Sequence, residues 1–458
     1  MVTVKDTLIA TKGRLLSGNE NDILRGLSTD TRRLKAGELF VAIKGDRFDG
    51  HNFILDAVSK GAGGVLVQDG CITNSNFKVD DISFISVSNS IKALGDIAHF
   101  HRSRFNIPII GITGSNGKTT TKEMIGAILA KKFNILKSFG TENNHIGVPL
   151  TLMRLDSGHK MAVLEMGTNR LGEIRRLSAI ANPTMAVITN VGPSHLQYLQ
   201  DLDTVLKAKC EILEYLDGEN AKVVLNADDE LLSNLKTKLK KIRFGLTKES
   251  DFYADKVDIE PDGINFRLNG KWEISMGLVG RHNVYNALGA IAASWDFGVS
   301  IDDIKEGLRE FKVPNMRMEV KRIGDIKIIN DSYNSNPLSM KKAIESLRDV
   351  TSKGRKILVA GDMLELGGLS GRFHHLVGRQ AAESGIDLIV AVGRLAEHVA
   401  KGAHEAGMSQ KKIMLYNVTK DACVAVANLI KKGDTILVKG SRAMKMEQIV
   451  KELETQFK

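Results

Sequence analysis

Cysteine is scarce in this 458-residue chain. The three present, Cys71, Cys210 and Cys423, lie far apart, which excludes a disulfide framework or a Cys-x-x-Cys metal site as the organising device. Such usage fits a reducing cytoplasm. Long apolar runs are missing too: none approaches the ~20 residues a membrane span needs. No secretory leader is legible either, because Lys5, Asp6, Lys12 and Arg14 interrupt the apolar stretches near the start. The chain has no internal repeats, no low-complexity linker and no signature of a nucleic-acid-binding module.

What is present describes a globular protein. Hydrophobic residues make up 43% and charged residues 26%, enough for a sizeable core, and the length suits about three domains. The net charge of +10 would suit a polyanion, either nucleic acid or a phosphorylated small molecule. The lysines are dispersed, and the run Lys238, Lys240, Lys241 reads as solvated helix surface. Phosphorylated substrates are therefore expected, with no nucleic-acid partner.

The most informative stretch runs from Ile109 to Lys122, Ile-Ile-Gly-Ile-Thr-Gly-Ser-Asn-Gly-Lys-Thr-Thr-Thr-Lys. An apolar run breaks into small residues and then opens an amphipathic segment, as a buried strand, a glycine loop and a helix start would. Backbone N–H groups of Gly114, Ser115, Asn116 and Gly117 can converge on phosphate oxygens at a helix N-terminus. Lys118 would reach the β/γ-phosphates, and Thr119, with Thr120 beside it, would approach Mg²⁺. The spacing departs from the strict P-loop, since the residue five before Gly117 is Ile112. These residues predict binding of a nucleoside triphosphate.

Alternation of apolar and helical segments organises the rest as an α/β protein. A small α/β unit carries strands at 39–43 and 64–67, a loop from Lys44 to His51 and a helix over 52–60. The central region adds strands at 161–165, 184–189 and 222–226, in a largely parallel sheet. Between 252 and 278 the pattern turns to short alternating strands, an antiparallel extension. After Val313-Pro314, strands at 327–330, 356–360, 388–392, 412–416 and 435–439 alternate with helices, as in a doubly wound, Rossmann-like domain. Expected boundaries are 1–88, 89–313 and 314–458.

Polar residues at strand ends are candidates for chemistry in such sheets. Glu165 ends one strand and Asn190 another, with His195 five residues on. A strand-end carboxylate beside a glycine loop is placed to hold Mg²⁺. Pattern alone makes His195 a capping or core histidine and Lys209 an ordinary helix lysine. The segment from Arg281 to Asn286 reads as polar capping. Asp331 to Pro337 reads as turn chemistry between a strand and a helix.

Taken in order, Thr113-Gly-Ser-Asn-Gly-Lys-Thr-Thr120, Glu165-Met-Gly167, Asn190-Val-Gly-Pro-Ser-His195, His282-Asn283-x-x-Asn286 and Arg317 before Glu319 resemble the Mur ligases, ATP-dependent amide-forming enzymes of cell-wall precursor synthesis. The resemblance spans essentially the whole chain. Ser28-Thr-Asp-Thr-Arg32, Gly37 to Gly45 and Asp49-Gly-His51 resemble the family's uridine-diphosphate-binding first domain. Thr141 to Pro149, Asp331 to Pro337 and Gly361 to Gly367 resemble the branch that joins D-alanyl-D-alanine to UDP-N-acetylmuramoyl-tripeptide. The Asp-Asn-Pro-Arg motif of the preceding branch is absent. The alternatives are another member of the superfamily, such as a folylpolyglutamate synthetase, and, from different classes, a nucleotide-binding switch or a nucleic-acid-dependent ATPase.

The resemblance implies ATP and Mg²⁺ as cofactors and an acyl-phosphate route. Lys118, Lys209 and His195 would be catalytic. Gly114 to Thr120 would wrap the triphosphate, and Thr119 and Glu165 would hold Mg²⁺, with His195 at a second ion. Asn283 and Asn286 would face the adenine, and Arg317 and Asp331 would reach the nucleotide from the third domain. Lys209 would be carbamylated, which turns a cation into a metal-binding carboxylate. Ser28, Asp30, Lys44, Gly45, His51, Thr141, Asn143, Asn144, Asn334 and Asn336 would contact substrate. A cytoplasmic monomer is expected. Lysine and diaminopimelate both stay open as the tripeptide's third residue.

Overall fold

A computed structural model describes residues 2–45, 48–71, 82–216 and 218–457. Three main β-sheets form along the chain, each with helices against it. The first, five-stranded, runs in the order Arg14–Ser17, Ser83–Val87, Gly64–Gln68, Leu39–Val41, Leu27–Ser28. Only its Arg14–Ser17 pairing is antiparallel.

The central nine-stranded sheet has Ile109–Thr113 between Met161–Glu165 and Met185–Ile188, all parallel. Every residue of Ile109–Thr113 is buried, as an unbroken apolar strand covered on both faces should be. Alternate residues serve opposite cores. Ile110 and Ile112 pack with Met124, Ile125 and Ile128 of helix Lys118–Leu129 and with helix His282–Trp295. Ile109, Ala162 and Leu164 pack with Ile174, Leu177, Val205 and Ala208 on the other face. The strands Phe252–Glu260, Gly263–Leu268 and Trp272–Met276 form the antiparallel extension at one edge.

The last sheet orders its six strands Glu319–Ile323, Ile326–Asp331, Thr435–Lys439, Lys356–Gly361, Leu388–Val392, Ile413–Tyr416. All but the first pair are parallel, and helices cover both faces. The expected α/β class, with a mostly parallel central sheet and a doubly wound C-terminal one, is the observed architecture.

Two local readings change. Lys240 and Lys241 open the strand Lys240–Gly245, paired on both sides, and Lys238 precedes it in a bend. Exposed lysines hid the two-residue period that turns Ile242 and Phe244 toward the core. The expected helix over 52–60 is a short 3₁₀ turn, Gly50–Phe53, followed by helix Ile54–Ser59. Asp49 caps that turn by accepting the N–H of His51.

Candidate active site

The glycine loop is shaped by the neighbouring strand end. Gly114 sits at φ +143, and a Cβ there would lie 2.0 Å from Thr189 Oγ1. Only glycine fits so tight a crossing. Thr189 Oγ1 and Asn190 Nδ2 donate to the Asn116 carbonyl at 2.6 and 3.1 Å, while Asn190 Oδ1 accepts the Asn116 N–H at 2.9 Å. Ser115 Oγ lies 2.9 Å from the Gly192 carbonyl. Helix Lys118–Leu129 starts directly after Gly117, so the loop ends at a helix N-terminus.

Lys118 Nζ arches back over this loop, donating to the Gly114 and Ser115 carbonyls at 2.6 and 3.3 Å. Burial pulls its pKa down to about 8, with Glu165 opposing the shift and Arg317 adding to it. Thr119 Oγ1 and Glu165 Oε2 are buried and have no hydrogen-bond partner among the described residues. Glu165 Oε1 accepts from Asn143 Nδ2 at 2.8 Å, which fixes the carboxylate. Two unpartnered oxygens at the edge of a phosphate-type loop are the donor chemistry of a hard divalent cation. No cluster of three or more His, Cys, Asp or Glu arranged for a metal occurs among the described residues, so further ligands would come from substrate phosphate and water.

Lys209 is not the surface lysine that its helical pattern suggests. It lies in the last turn of helix Leu202–Cys210 at 1% exposure. Burial, and then the charge of Lys118, push its pKa well below the ordinary value, against the pull of Glu173 and Glu211. His195 takes a left-handed conformation, φ 53, just ahead of a short helix. Its Nδ1 lies 2.6 Å from Glu365 Oε2, and the Gln197 N–H donates to the Glu365 carbonyl at 3.0 Å.

The third sheet closes over the loop. Asn116 and Asn336 exchange side-chain amide hydrogen bonds of 3.3 and 2.9 Å, and Asn336 also caps helix Pro337–Asp349. Tyr333 Oη donates to Thr141 Oγ1 at 2.7 Å, and Arg317 stacks over the Tyr333 ring at 4.2 Å. Asp331 accepts from Lys439 Nζ at 2.6 Å and from the Met318 N–H at 3.1 Å. Lys439 also donates to the Asn334 carbonyl at 3.0 Å. On the opposite side, Asn283 Nδ2 donates to the Val279 carbonyl and its Oδ1 accepts from Asn286 Nδ2, both at 2.8 Å. Asn286 Oδ1 in turn faces Gly117 and Thr121.

Between these groups lies one cavity of about 880 Å³. Of the residues singled out in the sequence, Ser115 to Thr120, Asn143, Asn144, Glu165, His195, Asn283, Asn286, Arg317, Asp331, Asn334 and Asn336 line it. Gly114, Thr141 and Lys209 stand behind its wall, through contacts with Lys118, Tyr333 and the Lys118 charge respectively.

Ser28, Asp30, Lys44, Gly45 and His51 belong to the first sheet unit and do not line this cavity. Ser28 Oγ bonds the backbone of Asp30, and the Arg32 guanidinium beside Asp30 holds its carboxyl down at about 2. Lys44 bridges to Asp49, and the Gly45 N–H donates to the Phe48 carbonyl at 2.9 Å. Asp46 and Arg47 of the same loop lie outside the described residues. The His51 ring is fully engaged: Nε2 accepts the Gln68 N–H at 3.1 Å and Nδ1 donates to Asp49 at 2.6 Å. It braces the loop and offers no free ring nitrogen to a ligand.

The cavity also includes Asn226, Asp228, Asp229, Tyr285, Tyr333, Glu365 and Lys439, which sequence pattern did not single out for chemistry. Asn226 and Lys439 end their strands, the same signal that marked Glu165. Tyr333 and Glu365 fall within the segments Asp331 to Pro337 and Gly361 to Gly367 that carry the resemblance, which gave neither residue a role of its own; Glu365 takes a left-handed backbone, φ 63.

Profiles of known families match along the chain: the Mur ligase family catalytic domain over 24–102, the Mur ligase middle domain over 112–294 and the Mur ligase glutamate ligase domain over 316–442. A UDP-N-acetylmuramoyl-tripeptide–D-alanyl-D-alanine ligase from Bacillus subtilis (strain 168) is 39% identical over 98% of this chain and 98% of its own. A crystal structure of MurF from Acinetobacter baumannii superposes with TM-score 0.89 at 31% identity, covering 99% of this chain and 98% of that one. MurF ligase from Thermotoga maritima in complex with ADP does so with TM-score 0.83 at 27% identity, over 94% and 98%. With full-length sequence similarity and the same three-sheet architecture, this chain belongs to the Mur ligase family.

Proposed function

We propose that the chain is an ATP-dependent ligase that joins D-alanyl-D-alanine to the terminal carboxylate of UDP-N-acetylmuramoyl-tripeptide. The carrying observation is the single cavity in which the glycine loop, Lys118, Thr119 and Glu165 meet Arg317, Asp331 and Asn336 of the third sheet unit. Similarity to ligases of this name supports the choice of substrates. Residues 1–88 are assigned to the uridine-diphosphate end, 89–313 to ATP and 314–458 to closing the site. ATP and nucleotide-linked substrates are cytoplasmic metabolites, so the reaction is assigned to that compartment.

A carboxylate cannot lose oxide unaided. Its oxygen attacks the γ-phosphorus of ATP, the bond to the β-bridging oxygen breaks, and ADP leaves an acyl phosphate. The amine of D-alanyl-D-alanine then adds to the acyl carbon. The tetrahedral adduct expels inorganic phosphate, the nitrogen loses its proton, and an amide remains. Two polyanions must meet in this sequence, so positioning and charge neutralisation supply most of the catalysis. Lys118 and the loop N–H groups take the phosphate charge. Asn143 orients Glu165, and Arg317, steadied on Tyr333, brings a second cation from the third sheet unit. Thr119 and Glu165 would hold Mg²⁺, which neutralises phosphate charge when bound. His195, an unusual nitrogen ligand for so hard an ion, is assigned beside the carboxylate. Lys209 is assigned a carbamate: its buried amine is held toward the neutral, CO₂-reactive form.

The test is phosphate release with the tripeptide nucleotide, with and without D-alanyl-D-alanine. Dipeptide-dependent release supports the assignment. Release stimulated equally by DNA or RNA, or nucleotide binding with no amine-dependent release, would replace it with the ATPase or switch reading.

A further inference from the structure

A second cavity, of about 510 Å³, opens beside the first. The two share Asn144, His145, Gly167 and Glu173 as walls, so they meet two residues beyond Glu165. Gly167, two residues past Glu165, lines both, so this opening adjoins the Glu165 side of the first cavity.

Two cations line this cavity. Lys92, from helix Ser90–Arg102, and Arg176, from helix Glu173–Ala181, share one carboxylate, Asp96, at 2.5 and 3.4 Å. Arg176 is also anchored by donating to the Lys92 carbonyl at 2.9 Å. A Cβ at Gly95 would lie 2.8 Å from Arg176 Nη2 and 2.7 Å from Ile180 Cδ1, so glycine there gives the guanidinium its place. Glu173, three residues before Arg176 on the same helix, lines the cavity as well. Its Oε2 accepts from Thr168 Oγ1 and from the N–H groups of Asn169 and Arg170, at 3.0, 2.7 and 3.2 Å. Its Oε1 is not used in those bonds. The cavity therefore presents two cations sharing one partner, and, three residues before Arg176 on the same helix, a carboxylate with one oxygen outside those bonds.

We propose that this cavity receives the third-residue side chain of the tripeptide, and that Lys92 and Arg176 select diaminopimelate over lysine. The inference rests on the ligase reading above. Diaminopimelate ends in a carboxylate beside an ammonium, which matches Lys92 and Arg176 with Glu173 beside them. Lysine brings an ammonium alone and leaves Lys92 and Arg176 with the one carboxylate of Asp96 between them. A charge-assisted bond to a carboxylate in a partly open cavity discriminates by about tenfold, far less than a sealed polar pocket would.

The experiment compares kcat/KM for the two tripeptide nucleotides, each with saturating ATP and D-alanyl-D-alanine. The wild type should favour the diaminopimelate nucleotide by about tenfold or more. Arg176→Gln and Lys92→Met should each bring the ratio toward one by slowing the diaminopimelate nucleotide, and Arg176→Lys should keep part of it. Thermal melts confirm that the variants fold. A merely structural role lowers both nucleotides together and leaves the ratio unchanged. That outcome, or a wild type that favours lysine or neither, overturns the proposal while dipeptide-dependent ligation still stands. Absence of ligation with both nucleotides overturns the ligase reading and this inference with it.

Discussion

Lys118→Met removes the ammonium at the mouth of the glycine loop and keeps most of the side chain's volume. In the wild type Nζ donates to the Gly114 and Ser115 carbonyls at 2.6 and 3.3 Å, so the loop loses a brace as well as a cation for phosphate. Removing one such donor from a transferring group costs roughly 2.7–4 kcal/mol in the transition state, or about 10²–10³ in kcat. The lowered pKa gives a second readout. Nucleotide binding needs the charged form, so kcat/KM for ATP should be level at neutral pH and fall as pH rises through about 8. The dipeptide's amine, with a pKa of roughly 8, titrates in the opposite sense, because it must lose its proton to attack. In Lys118→Arg the falling limb should vanish, since a guanidinium stays charged. Linkage gives a matching stability trend. Between about 8 and the ordinary 10.5 the unfolded chain holds more protons at this position, so its contribution to ligand-free stability rises with pH across that window. Steady-state kinetics on folded variants checks both claims. Near-normal turnover in Lys118→Met, or a limb at the same pH in Lys118→Arg, would refute the reasoning.

Lys209→Ala should lose ligation severely and regain part of it with added acetate, which can occupy the place of a carbamate; full activity without rescue contradicts the carbamate assignment. Gly114→Ala forces a Cβ to 2.0 Å from Thr189 Oγ1. It should cost about 1–3 kcal/mol in a thermal melt and abolish binding in an ATP-analogue titration. Tyr333→Phe deletes the hydrogen bond to Thr141 across the cavity, a contribution of about 1 kcal/mol. It should raise the KM for the tripeptide nucleotide by roughly fivefold and leave the melting temperature nearly unchanged.

The glycine loop was legible because its requirements are local: an unbroken apolar strand, small residues that allow left-handed backbone, and a helix start. Glu165 was legible by the same logic, as a carboxylate at a strand end. Lys209 was not. Its burial comes from the segments around its helix, and the helical pattern alone reads as solvated. The lysines before Phe244 misled for the opposite reason, since their charge hid a strand alternation. Nor does sequence reveal that Gln68 and Asp49 take both ring nitrogens of His51. Pairs such as Asn116 with Asn336, or His195 with Glu365, join residues far apart in the chain. They arise only when the third sheet unit folds over the loop, a tertiary event that short-range pattern does not encode.

Oxygen transfer offers the most direct test of the ligase account. With the terminal carboxylate of the tripeptide nucleotide labelled with heavy oxygen, the acyl-phosphate route carries one labelled atom per turnover into the released phosphate, and mass spectrometry should find it there together with the extended pentapeptide nucleotide. Pentapeptide nucleotide formed with unlabelled phosphate, or phosphate released with no pentapeptide product, would contradict the account.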